Sequence, residues 1–443
     1  MNIKLSDHFT CGKLVWFALP TIGMILVSTT YDLIDGYFVS NYIGKTAFAA
    51  INIIYPYLLA IMAVGMMFGV GGSALIAAEL GKGDRVLANR YFTMIVKAAF
   101  GAGVVLGAAG LLALPTVSEL LGATEDMMGY GLPYGRVLLC FMPIAILSYA
   151  FQSLLITAEK PQFGLYFSLI NMGSNIIFDW LFIVIFGWGM TGAALATAIG
   201  MCLNGILPLV YFLRENTSPL RLVKKSGWNI GPLLGAMGNG SSEMVTNVST
   251  ALIFIFYNMQ LMRFIGEDGV AAYGTVLFVE GIFAAIFYGL AMEATSVVGY
   301  HAGAQNYDEL QSLLKKGVML NLGCGIVMFG SAQCFAPLVA EIYLGYDAEL
   351  CALGIYALRM FAFAFILQGF NEYASAYFTG LGNGRVSAAI AFMRTFVLQS
   401  VAIFGLPMLL GTDGLWFAQT FAEVVSTLVA VVFLVKFRHE FMG

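Results

Sequence analysis

Asp35 and Asp179 are the residues whose types and positions carry chemistry most directly, because each stands in a stretch of sequence that is otherwise apolar. An ionisable group inside hydrocarbon costs at least ~2.5–3.5 kcal/mol, so a retained one marks an ion path, a proton relay or a satisfied internal pair. Tyr31 lies one turn before Asp35 and Asn175 one turn before Asp179. With Gln152 and Thr197 they gather carboxylate, amide and hydroxyl oxygens into the first half of the chain. Two chemistries fit such a set. Burial disfavours an ionised carboxyl, so one of the acids can gain and lose a proton during a cycle. A hard cation such as Na⁺ accepts the same oxygens. The residue types do not choose between them.

The second half carries a different set: Glu243, Glu280, Glu293, Glu372, Glu423 and Arg394. An Arg394 paired with Glu372 or Glu423 reads more simply as a packing ion pair than as a substrate contact. Glu280 and Glu293 divide evenly between lining a cavity and making local bonds. Asp32 and Glu243, near the ends of their apolar runs, are expected to be solvated. The cavity or substrate candidates are therefore Gln152, Glu280, Glu293 and Arg394.

Other chemistries lack their residues. The only histidines are His8, His301 and His439, each alone, so neither a metal cluster nor a histidine-based triad assembles from sequence neighbours. The six cysteines form no CxxC pair and read as buried thiols. With no P-loop, the chain is not expected to hydrolyse ATP, and an enzyme built inside the spans lacks a nucleophile or metal set. No catalytic residue, metal or cofactor is expected.

The elements that must hold these side chains are membrane helices. Of the 443 residues, 60% are hydrophobic and 10% charged, against ~25% charged in soluble domains. Apolar runs recur at the ~20 residues that span a bilayer. Residues 14–31, 98–118, 137–158 and 317–340 contain no charge. The uncharged run 180–213 is broken by Gly187-Trp188-Gly189, which reads as a turn between two spans. Spans are expected near 14–38, 48–71, 92–115, 132–157, 163–186, 191–213, 233–262, 270–299, 316–340, 351–378, 387–410 and 414–435. The first run reads as a retained span, not a cleaved signal peptide.

Lys and Arg set the expected orientation. With both termini in the cytoplasm of a cell-membrane protein, Lys82, Arg85, Arg90, Lys160, Arg221, Lys225 and nine further cations share one side, whereas Lys45, Arg136, Arg263 and Arg359 fall near the other.

Sliding the chain by 222 or 223 residues brings Ile43-Gly44 onto Ile265-Gly266, Gly81 onto Gly303, Arg136 onto Arg359, and Gly192 onto Gly414. The expected fold is an all-α integral membrane protein, with twelve helices in two pseudo-symmetric, parallel six-helix bundles. Its parts are residues 1–213, a cytoplasmic linker at 214–232, and residues 233–443. Asp35 falls on Tyr257 and Asp179 on Ala402, so the bundles do different chemistry. Paired bundles can rock about a midplane site, which favours transport of a small solute.

Three segments resemble the multidrug and toxic compound extrusion (MATE) transporters. The first is Pro20 followed by Asp35-Gly36-Tyr37-Phe38-Val39 and Ile43-Gly44. The second is Asn175-Ile176-Ile177-Phe178-Asp179 with Gly192-Ala193-Ala194-Leu195-Ala196-Thr197. The third is the loop pair Glu79-Leu80-Gly81-Lys82-Gly83-Asp84 and His301-Ala302-Gly303-Ala304-Gln305-Asn306. The resemblance covers essentially the whole chain. It implies export of amphipathic or cationic compounds by antiport with H⁺ or Na⁺, and a monomer in the lipid bilayer with a small-molecule substrate and no nucleic acid. It also implies a cation site of Asp35, Asp179, Asn175 and Thr197, with Tyr31 beside it. Gln152 stands where relatives often carry Asn. The acid that some branches place deep in span 7 has no counterpart in this reading, since Glu243 lies too early. A lipid-linked oligosaccharide flippase is the nearest alternative, but it would carry more cavity cations than Arg394.

Overall fold

The computed structural model describes residues 3–442, without the side chain of Asp32, whose expected solvation lies outside the described residues. Every regular element among the described residues is helical. In chain order these are α1 (Cys11–Phe38), α2 (Lys45–Gly81), α3 (Arg85–Leu120), α4 (Glu125–Cys140), α5 (Met142–Thr157), α6 (Pro161–Asp179) and α7 (Gly189–Leu213). After the linker come α8 (Ile230–Phe264), α9 (Glu267–Gly303), α10 (Tyr307–Leu344), α11 (Ala348–Phe361), α12 (Phe365–Gly380), α13 (Gly384–Phe392), α14 (Gln399–Leu410), α15 (Thr412–Lys436) and the short α16 (His439–Met442). Wider π-helical turns extend α1 over Val39–Ile43 and α6 over Trp180–Ile185, and join α13 to α14 over Met393–Leu398.

Eleven helical stretches are long and apolar enough to cross a bilayer, and α4 with α5 makes a twelfth. That span bends by 65°, at Phe141. Pro143, at the start of α5, cannot donate to a preceding carbonyl and so permits the break. The expected turn at residues 187–189 is present, with Gly187 and Gly189 at φ +64° and +55°.

The repeat is geometric as well as sequential. The helices α2 and α9 are both 37 residues long, and each starts at a glycine of positive φ, Gly44 at +127° and Gly266 at +88°. Only glycine takes those angles without a steric penalty. Each is followed by a capped partner: Asp84 accepts the Leu87 N–H at the start of α3, and Asn306 accepts the Glu309 N–H at the start of α10. The helices α7 and α15 are both 25 residues long.

Where the two halves meet, α2 lies along α8 and α9. Glycines let the backbones touch. A Cβ on Gly71 would strike the Ala236 carbonyl oxygen, one on Gly240 that of Met67, one on Gly81 that of Tyr300, and one on Gly303 that of Ala78. These contacts lie toward the end that carries the linker and both termini, so the halves are closed there. The Thr157 and Ser296 hydroxyls bond at 2.9 Å across the same junction. The N-terminal segment also joins the halves at that end: the Leu5 N–H reaches Glu159 and the Phe9 N–H reaches Glu309, both at 2.9 Å.

The cysteines are not buried as expected; all six are exposed or half-exposed. Of the methionines and phenylalanines crowded at residues 62–68 and 361–365, Met62, Phe361 and Phe365 are fully buried, whereas Met66 faces a cavity between the halves.

Candidate functional site: two polar cavities

The first cavity, of about 150 Å³, is lined by Tyr31, Asp35, Asn52, Tyr55, Tyr134 and Thr197 among others. Asp35 sits four residues before the π-helical turn that ends α1, and Asp179 is the last residue before the one that ends α6. Such turns widen a helix by one residue, shift the side chains around them, and recur at functional sites. Here they bring acids from two helices together. The Asp35 carboxyl, at the cavity wall, meets the Asp179 carboxyl and the Thr197 hydroxyl. Asp179 and Asn175 lie behind it and are wholly buried.

The set is short of hydrogens. The Thr197 hydroxyl donates to the Ala193 carbonyl at 3.1 Å, within its own helix. Among the described residues no protein N–H or O–H reaches either oxygen of Asp179, Oδ1 of Asp35 or the Asn175 amide oxygen. Two facing carboxyls repel when both are ionised, and a proton on one or a cation between them removes the repulsion. The same oxygens make a fitting set for a hard cation.

Of the residues expected here, Tyr31, Asp35, Asp179 and Thr197 do converge, and Asn175 stands buried one turn before Asp179 on α6. Gln152 does not line this cavity; Tyr149, nearly one turn earlier on α5, lines it instead. Asn52, Tyr55 and Tyr134 escape the sequence reading, although polar groups in otherwise apolar spans were signal enough to find them.

The second cavity, of about 340 Å³, lies mainly among α8, α9, α12, α15 and the Met393–Leu398 turn, with Met66 of α2 and Ile25 of α1 closing one wall. Glu280, Glu372 and Arg394 all line it. Arg394 reaches both expected partners, Glu372 and Glu423, at 3.3 Å each. Glu423 is fully buried and also accepts from Asn371 at 2.6 Å and Gln419 at 3.2 Å. Arg394 is therefore held by its acids, and Glu280 is left as a cavity carboxylate with no cation in bonding contact among the described residues. Gln368, Asn371 and Gln419 were not singled out from the sequence. Gln368 and Gln419 stand four residues from Glu372 and Glu423, the helical spacing that marks such partners.

Two second-half expectations change. Glu243 is not at a span end: α8 begins at Ile230, which puts Glu243 well inside it, half-buried and facing the Tyr288 hydroxyl. Glu293 lines neither cavity. It is buried between the halves and accepts the Thr21 hydroxyl hydrogen.

The chain matches the family described as MatE twice, over residues 20–181 and 244–404. It is 22% identical to the multidrug export protein MepA of Staphylococcus haemolyticus, over 96% of this chain and 93% of that one. The MepA of Staphylococcus saprophyticus gives the same identity and coverage. Among solved structures, MATE in complex with MaL6 superposes with a TM-score of 0.90 at 23% identity, over 96% of each chain. The outward-facing conformation of a multidrug resistance MATE transporter gives 0.89 at 23% identity, over 96% of this chain and 95% of the other. The structural likeness shows a shared fold.

Proposed function

Because the chain belongs to the MatE family, we propose that it exports small amphipathic or cationic compounds across the cell membrane by antiport with H⁺ or Na⁺. The observation that carries this reading is the Asp35–Asp179 contact, a buried carboxyl pair in which Oδ1 of Asp35 and both oxygens of Asp179 have no protein donor among the described residues, placed where two helices change their winding. Asn175, Thr197 and Tyr31 complete the coupling site. The second cavity receives the substrate, with aromatic and methionine walls for its apolar part and Glu280 for its positive charge.

On this reading residues 1–213 and 233–443 form two bundles joined by the linker 214–232, with both termini cytoplasmic and the chain acting as a monomer. The halves then touch on the cytoplasmic side, which corresponds to an outward-facing state. Binding of the cation between Asp35 and Asp179 neutralises the pair, changes how α1 packs on α6, and drives substrate outward. The ion can do this only through different affinities for the two facing states.

The test is dye flux into proteoliposomes under an imposed pH gradient or an imposed Na⁺ gradient, with the native chain beside Asp35→Asn and Asp179→Asn. Uphill flux under one gradient, lost in either variant while folding is kept, supports the antiport and identifies the ion. If neither gradient drives any cationic dye, the exporter reading fails.

A further inference from the structure

One further cavity belongs to neither site. A cleft of about 660 Å³ opens at the linker end, between the start of α3 and the linker, and Arg85, Arg90, Arg221 and Lys225 line it with Glu215 as its only acid. None of these four cations takes part in an ion pair among the described residues. Three features set the cleft apart from the general excess of cations on that side.

First, Arg85 is the opening residue of α3, the positive end of the helix dipole, where a cation is disfavoured and an anion favoured. Second, the repeat does not reproduce it. At the same place in the second half, α10 opens on Tyr307, Asp308 and Glu309, the usual acidic first turn. Third, the cleft is built rather than fortuitous. The Arg221 N–H bonds the Asn89 side chain at 2.6 Å and the Val223 N–H bonds the Thr93 hydroxyl at 3.0 Å. The Ser218 hydroxyl donates to the Ala158 carbonyl at 2.9 Å, and Leu220 is fully buried. The linker is thereby fixed on α3 with its cations facing those of α3.

The cleft lies at the linker-side ends of two candidate spans, which terminate at Arg85 and Leu213. Exposed Val86 lines it, and Leu213, Trp228 and Ile230 are exposed where the linker leaves α7 and enters α8. Unpaired cations beside exposed apolar side chains match a molecule that has an anionic head and apolar tails.

We infer that this cleft binds the phosphate headgroup of an anionic phospholipid from the leaflet on the linker side, holding the linker against α3. Clusters of Lys and Arg at the end of a membrane helix draw such headgroups electrostatically.

The test is native mass spectrometry of the full-length protein, titrated with phosphatidylglycerol or phosphatidylcholine in the same detergent. The native chain is expected to retain phosphatidylglycerol in preference. The triple variant Arg85→Gln, Arg90→Gln, Arg221→Gln is expected to lose at least about tenfold in apparent affinity. Removing the same charge elsewhere on that face, by Lys315→Gln, Arg385→Gln, Arg438→Gln, is expected to leave the preference intact. An equal loss in that control overturns the inference, as does an absence of preference in the native chain. Displacement of the lipid by equimolar inorganic phosphate overturns the lipid in favour of a small-anion site. If the triple variant does not fold, Arg90→Gln alone, on an exposed side chain, is expected to weaken retention in the same direction, and an unchanged value overturns the inference.

Discussion

Thr21 of α1 and Glu293 of α9 share a hydrogen bond across the junction of the two halves, and neither side chain has more than a few per cent of its surface exposed. The second carboxyl oxygen of Glu293 receives no protein donor. Thr21→Val removes the one donor this carboxyl has, and a stranded buried polar group costs about 1–3 kcal/mol. The variant is expected to unfold at lower temperature in detergent. It is also expected to leave the closed state more often, read as faster labelling of a cysteine placed at Ala78.

Asp35→Asn or Asp179→Asn places an amide opposite the remaining carboxylate and supplies the hydrogen that the pair lacks. Each variant is expected to raise thermal stability while abolishing ion-driven uphill flux. A drop in stability to match the loss of flux would mean that the acids serve the fold alone.

Where the glycines bring α2 onto α8 and α9, an added methyl has no room. Gly71→Ala and Gly303→Ala are expected to force the halves apart at the linker end, seen as longer spin-label distances across that end. Gly330, inside α10, has open space around its Cβ position. Gly330→Ala is expected to leave those distances unchanged and to stabilise by up to about 1 kcal/mol.

Removing Arg394 leaves Glu423 charged and enclosed. Arg394→Gln is expected to cost about 3–5 kcal/mol in thermal or chemical unfolding. Adding Glu423→Gln, which removes the orphaned charge, is expected to recover much of that loss. Simple addition of the two single effects would show that the pair is not coupled.

The spans and the repeat are legible in the sequence because hydropathy and the glycines at Gly44 and Gly266 are local properties. The first-half polar set is legible for a similar reason, since each polar residue interrupts an apolar run. The depth of Glu243 is not. The expected span opens at 233, yet residues 239–242 read Asn-Gly-Ser-Ser, a polar edge, although Gly240 packs on α2 and Asn239 bonds Thr379 inside the fold, so composition makes Glu243 look more exposed than it is. The π-helical turns beside Asp35, Asp179 and Arg394 carry no proline or glycine to announce them. The Thr21–Glu293 bond joins residues 272 apart and is a product of how the halves dock.

The linker's hydrogen bonds to the first half decide where any swivel must be. Lys97 still holds Ser226 at 3.1 Å, and Gly227 turns the chain at φ +68° just before α8 begins. The connection therefore has almost no slack, so a swivel of the second half about it would turn from a point at its own base. The 35 residues of α8 form a lever of about 52 Å at 1.5 Å per residue. A swing of about 10° at the pivot sweeps its far tip through roughly 9 Å while the base hardly moves. On the proposed transport reading, Gly227 is then where a rotation that opens the far end would be centred.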